Sequence, residues 1–111
     1  MPKAILLVQS QPSDPSREDE YNKWYDATHL PQVCDVPGIV TARRYELAPT
    51  SAMPAPPDDS SKYIAIYEIE ADDLDTVLAE IVTRSGDGRI EMSDVLAMDP
   101  MPVTQLYRLR D

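Results

Sequence analysis

The 111-residue chain contains no phenylalanine, one tryptophan, one cysteine and one histidine. Without phenylalanine, its core must be filled by Tyr, Leu, Ile, Val and Met. A single cysteine excludes an internal disulfide, and one cysteine with one histidine cannot complete a closed zinc site. Basic residues are scarce, with ten Lys and Arg against twenty Asp and Glu, a net charge of −10. That balance opposes binding to nucleic acid or to an anionic membrane, since both require basic patches. Long apolar runs are also missing. The N-terminal "MPKAILLVQS" holds only five clearly apolar residues in a row, too few for a signal-peptide core or a membrane span. The chain has no phosphate loop, nucleotide fingerprint or Ser-His-Asp order. Its acidic runs, "DPSREDE" and "EADDLD", suit helix starts and lack metal-ligand spacing. These absences lead us to expect a soluble, cytoplasmic protein without metal or cofactor.

What is present reads as one domain over residues 1–111, large enough for a single core. "KAILLVQS" is a short apolar run bounded by turn formers, a first strand. "SREDEYNKWYDATH" predicts a helix with Ser16 as N-cap and acidic residues in its first turn. Pro31 predicts an end near His29. At about 100° per residue, Trp24, Thr28, Tyr21, Tyr25 and His29 fan across one side in that order, with Trp24 and His29 on opposite flanks. "VPG" is a turn, and "IVTARRYEL" is the second strand. The segment 48–61 carries four prolines without periodicity and is expected to be a flexible hairpin loop. "KYIAIYEIE" is the third strand. Leu74, Val77, Leu78 and Ile81 mark a second helix that is expected to stop at Gly86. An irregular stretch follows, with one helical turn expected around Ser93 to Met98, before the last strand, "VTQLYRLR".

The order βαββαβ is the ferredoxin-like α+β pattern, a four-stranded antiparallel sheet with two helices on one face. The first and third strands are apolar on both sides, and two helices cover only one. A second apolar face left in water would be a large patch for a monomer. A homodimer formed through the sheet face is therefore expected.

With this topology, "EYNKWYDATHLPQVCDVPGIVTARRYEL" resembles the dimeric α+β barrel superfamily and, within it, the small stand-alone EthD-like proteins. The carrying features are Trp-Tyr-x-x-x-His-Leu-Pro, then Val-Pro-Gly, then a strand with two arginines. About a third of the chain matches closely, and the long Pro-rich loop departs from the compact hairpin of that pattern. The resemblance implies two protomers packed sheet to sheet, each enclosing a pocket between its own sheet and helices. Relatives of this fold include cofactor-independent monooxygenases, cyclases, isomerases and haem enzymes, so the fold does not choose a chemistry.

His29 is the main candidate. A helix C-terminus favours its imidazolium and burial favours its neutral form, a balance that would leave its pKa near neutrality, suited to acid/base work. The plain alternative is a structural histidine closing the helix. Tyr25 lies one turn earlier on the same side, placed to hold a substrate oxygen or to pack. Trp24 reads as packing that borders the site, and Asp26 as solvated, too far round the helix for a dyad with His29. Tyr63 and Tyr67 share a strand face that either floors the pocket or meets the partner. Arg43 and Arg44 point to opposite faces, so at most one enters the pocket; Arg43, sharing a face with Tyr45, is the candidate anion binder. Cys34 is expected to be an inert thiol. Met92, Met98 and Met101 form either an adaptable lid or core filling. A haem is disfavoured, because His29 is the only imidazole and few basic groups could meet propionates.

The expectation is a homodimer that binds an apolar, oxygenated small molecule. It would carry out cofactor-free proton transfer, in a dehydration, cyclisation or isomerisation, with His29 as acid/base and Tyr25 or Tyr67 on the substrate oxygen. Cofactor-independent oxygenation is the competing enzymatic reading, and a non-catalytic accessory dimer with a filled cavity is the non-enzymatic one.

Overall fold

The computed structural model of the protein describes residues 3–55, 62–99 and 101–110. Four strands, β1 (Lys3–Ser10), β2 (Ile39–Glu46), β3 (Tyr63–Glu70) and β4 (Val103–Arg108), form one antiparallel sheet in the order β2-β3-β1-β4. Between β1 and β2 the chain makes a 3₁₀ turn at Pro15–Arg17 and the helix α1 (Glu18–Trp24). A π turn at Tyr25–His29 and a short helix, α2 (Leu30–Cys34), complete this segment. The helix α3 (Leu74–Asp87) joins β3 to β4. This is the ferredoxin-like α+β fold expected from the element order. No helix among the described residues is long and apolar enough to cross a membrane.

Alternation along the central strands decides which face the helices cover. On β3, Tyr63, Ala65, Tyr67 and Ile69 are all buried, as are Ala4 and Leu6 on β1. Together with Tyr21, Tyr25, Val33, Leu74 and Val77 from the helical layer they form one core cluster. Tyrosine thus takes the place of the missing phenylalanine. The other sheet face carries Ile5, Leu7, Ile64 and Ile66, half-buried by their neighbours alone. Pairing places Tyr107 beside Ile5 and Tyr45 beside Ile64, extending that apolar surface to both edges.

Three expected boundaries move. The first helical segment begins not at Ser16 but at Asp14, whose carboxylate accepts from the backbone N–H and the hydroxyl of Ser16. It does not end near His29 but runs on to Cys34 through the π turn, in which the Leu30 N–H donates to the Tyr25 carbonyl. In a plain α-helix Pro31 would lose one hydrogen bond and press its ring on the carbonyl four residues back. The wider turn just before it gives the ring room. The third boundary is that of α3, which passes through Gly86 and ends at Gly88, in the left-handed region at φ +89°.

Gly38, in the Val36–Gly38 turn, has φ +100°, and an added Cβ would lie 2.7 Å from Cγ2 of Val77. Gly38→Ala therefore combines left-handed strain with overpacking against α3, a loss on the order of 2–4 kcal/mol by urea unfolding.

The stretch after α3 forms no helix over Ser93 to Met98, only a single turn closed by the Leu96 N–H on the Ser93 carbonyl at 3.2 Å. It is instead laid beside the residues after β1, with Ser13 N–H bonded to the Val95 carbonyl at 2.7 Å and Ala97 N–H to Gln11 at 3.0 Å. This delivers Ile90, Val95 and Leu96 to the core, while Met92, Met98 and Met101 stay exposed. Of the Pro-rich loop, 56–61 lie outside the described residues. The preceding part, 48–55, is exposed and is turned by a Thr50–Met53 backbone bond.

Candidate functional site

Between the helix-covered face of the sheet and the helical layer lies a half-open cavity of about 180 Å³. Leu6, Val8 and Tyr67 form its floor, and Tyr25, His29 and Val33 one wall. Ile81 and Ser85 of α3 line another side, with Met92 and Leu96. A larger cleft of about 490 Å³ lies at the far ends of β1, β3 and β4. It is lined by Lys3, Glu68, Glu70, Arg108 and Arg110, whose opposite charges offset one another. It contains no buried acid or base, so we place the candidate site in the smaller cavity.

The π turn builds that site. At α-helical spacing, residues five apart stand roughly 140° apart around the axis, which would keep Trp24 and His29 on opposite flanks. The extra residue in the turn instead stacks their rings, 4.8 Å between centroids and 28° between planes. Tyr25 meets the same imidazole edge-on at 4.9 Å. Trp24 is thus a wall of the histidine. Nδ1 of His29 and Nε1 of Trp24 are buried without a hydrogen-bond partner among the described residues, a costly condition for polar atoms.

Burial lowers the His29 pKa to about 4, opposed only in part by a backbone hydrogen bond at Glu91. The expected balance near neutrality does not arise, because the chain stays helical past His29 and no helix end lies beside it. At neutral pH the imidazole is therefore uncharged, a proton acceptor.

Tyr25 and Tyr67 face each other with their hydroxyls 3.4 Å apart. Burial raises the pKa of both phenols, so each remains protonated and can donate a hydrogen bond. Ser10, the last residue of β1 and also on the cavity wall, shares a buried 2.6 Å hydrogen bond with the Tyr21 hydroxyl. Ser10 was not legible as a site residue, since a serine ending an apolar strand looks like a turn former.

Arg44, not Arg43, lies under the helices. Simple alternation from the buried Ile39 would turn Arg43 inward, but the ladder is irregular between Ile39 and Thr41. One extra residue there flips every following side chain. Arg43 pairs in register with Ile66 on the uncovered face and is exposed. The Arg44 guanidinium sits 4.5 Å from the centroid of the Tyr25 ring and just over 5 Å from those of Tyr21 and Tyr63. Its charge is held by Asp26 at 2.8 Å and by Asn22 at 2.9 Å. Asp26 makes no dyad with His29, as expected, but is ion-paired rather than simply solvated.

Tyr63 is on the covered face yet does not line the cavity. Its hydroxyl donates to Glu18 and accepts from Asn22, fixing β3 to α1. The Cys34 thiol is raised by burial and by Asp35, which keeps it protonated and unreactive. No three His, Cys, Asp or Glu side chains converge as a metal site among the described residues.

Comparison with solved structures places this architecture among known ones. The chain resembles an ethyl tert-butyl ether D (EthD) family protein from Bacillus halodurans C-125, with TM-score 0.57 and 14% identity over 96% of both chains. An EthD-like protein from Ralstonia eutropha JMP134 gives TM-score 0.60 and 16% identity, covering 96% of this chain and 90% of that one. A proposed monooxygenase from Shewanella loihica PV-4 gives 0.59 and 14%, over 100% and 98%. At these identities the likeness is one of fold. The EthD-like resemblance read from the Trp-Tyr-x-x-x-His-Leu-Pro segment thus has its structural counterpart. No protein-family model and no curated protein sequence matches the chain.

Proposed function

We propose that the protein binds a small apolar, oxygenated molecule in this cavity and catalyses a cofactor-independent proton transfer on it. The observation that carries this reading is the meeting of His29 with two facing phenols, those of Tyr25 and Tyr67, on the walls of one cavity. In the proposed step the imidazole takes a proton from a carbon next to a carbonyl. The C–H electron pair becomes the enolate double bond, and the oxygen that gains charge accepts a hydrogen bond from Tyr67 or Tyr25. The imidazolium, stabilised by the enolate beside it, returns the proton to the same or a neighbouring carbon. Isomerisation, cyclisation and dehydration all begin in this way.

The test is deuterium incorporation into small cyclic ketones in D2O, followed by proton NMR with and without the protein. Exchange that depends on the protein and persists under argon supports the reading. Turnover that requires oxygen supports a monooxygenase instead, the reading favoured by the likeness to the Shewanella loihica protein. Both begin by making an electron-rich anion. If nothing binds and nothing exchanges, the accessory-dimer reading stands.

The same proposal includes a homodimer packed through the uncovered sheet face. Ile5, Leu7, Ile64 and Ile66 form its centre, and Tyr107 and Tyr45 its borders. Ile66→Glu places a charge at that centre beside Leu7 and Arg43. By sedimentation, the native chain should run as a dimer and this variant as a folded monomer.

A further inference from the structure

The cavity also restricts what it can hold, and the following rests on the binding reading given above. Its polar lining residues are His29, Tyr25, Tyr67, Ser10, Ser85 and Thr104, with no acidic residue and no lysine or arginine. Arg44, beside one wall, stands against the Tyr25 ring with its charge already taken by Asp26. An anionic ligand would lose its hydration and meet no counter-charge, and a cationic one would find no carboxylate.

Size sets a second limit. A cavity of roughly 150 Å³ takes one benzene ring, so about 180 Å³ suits one ring with a small substituent. The unsatisfied groups set a third. The Tyr25 and Tyr67 hydroxyls are 3.4 Å apart, long beside the usual 2.7–2.8 Å for such pairs. One hydroxyl on a ring answers this, accepting from one phenol within the cavity that His29 also lines.

We propose that the cavity is a site for an un-ionised single-ring phenol, or for a cyclic ketone in its enol form, and that it rejects carboxylates and fused rings. Trp24, the only tryptophan, is stacked on His29 and reports occupancy by fluorescence. The probes are phenol, benzoate and 2-naphthol at pH 7, titrated by calorimetry and by Trp24 emission. Phenol should bind at least tenfold more tightly than either of the others. Tyr67→Phe, which keeps the ring, should weaken phenol by about five- to tenfold, the worth of one hydrogen bond. Equal or tighter binding of benzoate overturns the neutral-ligand claim, and equal or tighter binding of 2-naphthol overturns the single-ring claim. Either result leaves the cavity a binding site. Unchanged phenol affinity in Tyr67→Phe overturns the phenol-donor geometry. If none of the three probes binds, the proposal and the binding reading fall together.

Discussion

His29→Gln should reduce protein-dependent deuterium exchange into a cyclic ketone by about 10²–10⁴-fold, the usual contribution of a positioned general base. Glutamine keeps a polar group of similar reach but cannot accept and return a proton at neutral pH. The fold should tolerate the change, because the glutamine amide can replace the hydrogen bond that the imidazole makes at the Glu91 backbone. Its melting temperature should therefore stay close to that of the native protein, separating loss of chemistry from loss of structure. A pKa of about 4 makes His29 a weak base in the empty cavity, and this is consistent with the proposed step. The low value keeps the imidazole free to accept a proton at pH 7, and the enolate forming beside it supplies the charge that stabilises the imidazolium.

The second large effect is on stability in acid. The folded-state pKa of His29 is depressed from 6.5 to about 4 by burial, so between those values the unfolded chain binds more protons than the folded one. Stability therefore falls as pH drops through this window and is fully present only above it. The loss attributable to His29 amounts to about 3 kcal/mol by pH 4. Carboxylates such as Asp14, Glu18 and Asp87, whose pKa values are lowered by hydrogen bonds or ion pairs, add their own losses at more acid pH. Urea unfolding of the native protein and of His29→Gln at pH 7 and pH 4.5 isolates the histidine. The native protein should lose the larger amount of stability, and most of the difference should vanish at pH 7.

These effects depend on features of which only some were legible in the residues. Strand alternation in "KYIAIYEIE" and "KAILLVQS" was enough for the sheet, because period-two burial is a local property of the chain. It did not say whether Tyr67 faced the helices or a partner, since both sides of β3 are apolar. The end that Pro31 predicts near His29 follows from a rule that assumes α-helical geometry. One wider turn satisfies that proline, carries the helix past it and brings Trp24 onto the imidazole. A single extra residue in β2 likewise exchanges Arg43 for Arg44, and nothing in "IVTARRYEL" marks it. The place of the cavity, between sheet and helices, was implied by the resemblance alone, and its walls and size were not legible in the residues. Its walls come from β1, the π turn, α3 and the stretch containing Leu96, and its volume is set by how those distant segments pack. Met92, Met98 and Met101 were open to a lid or to core filling, whereas Ile90, Val95 and Leu96 do the burying because backbone bonds to Gln11 and Ser13 fix that stretch.

The chain has one histidine, so an ¹⁵N-edited NMR titration of its imidazole requires no assignment, and it tests the central claim most directly. The account predicts a neutral ring throughout neutral pH, titrating near pH 4, with its nitrogen shifts perturbed when phenol is added. An imidazole that titrates near its ordinary value of 6.5 and ignores phenol would contradict it, leaving His29 a solvated helix residue.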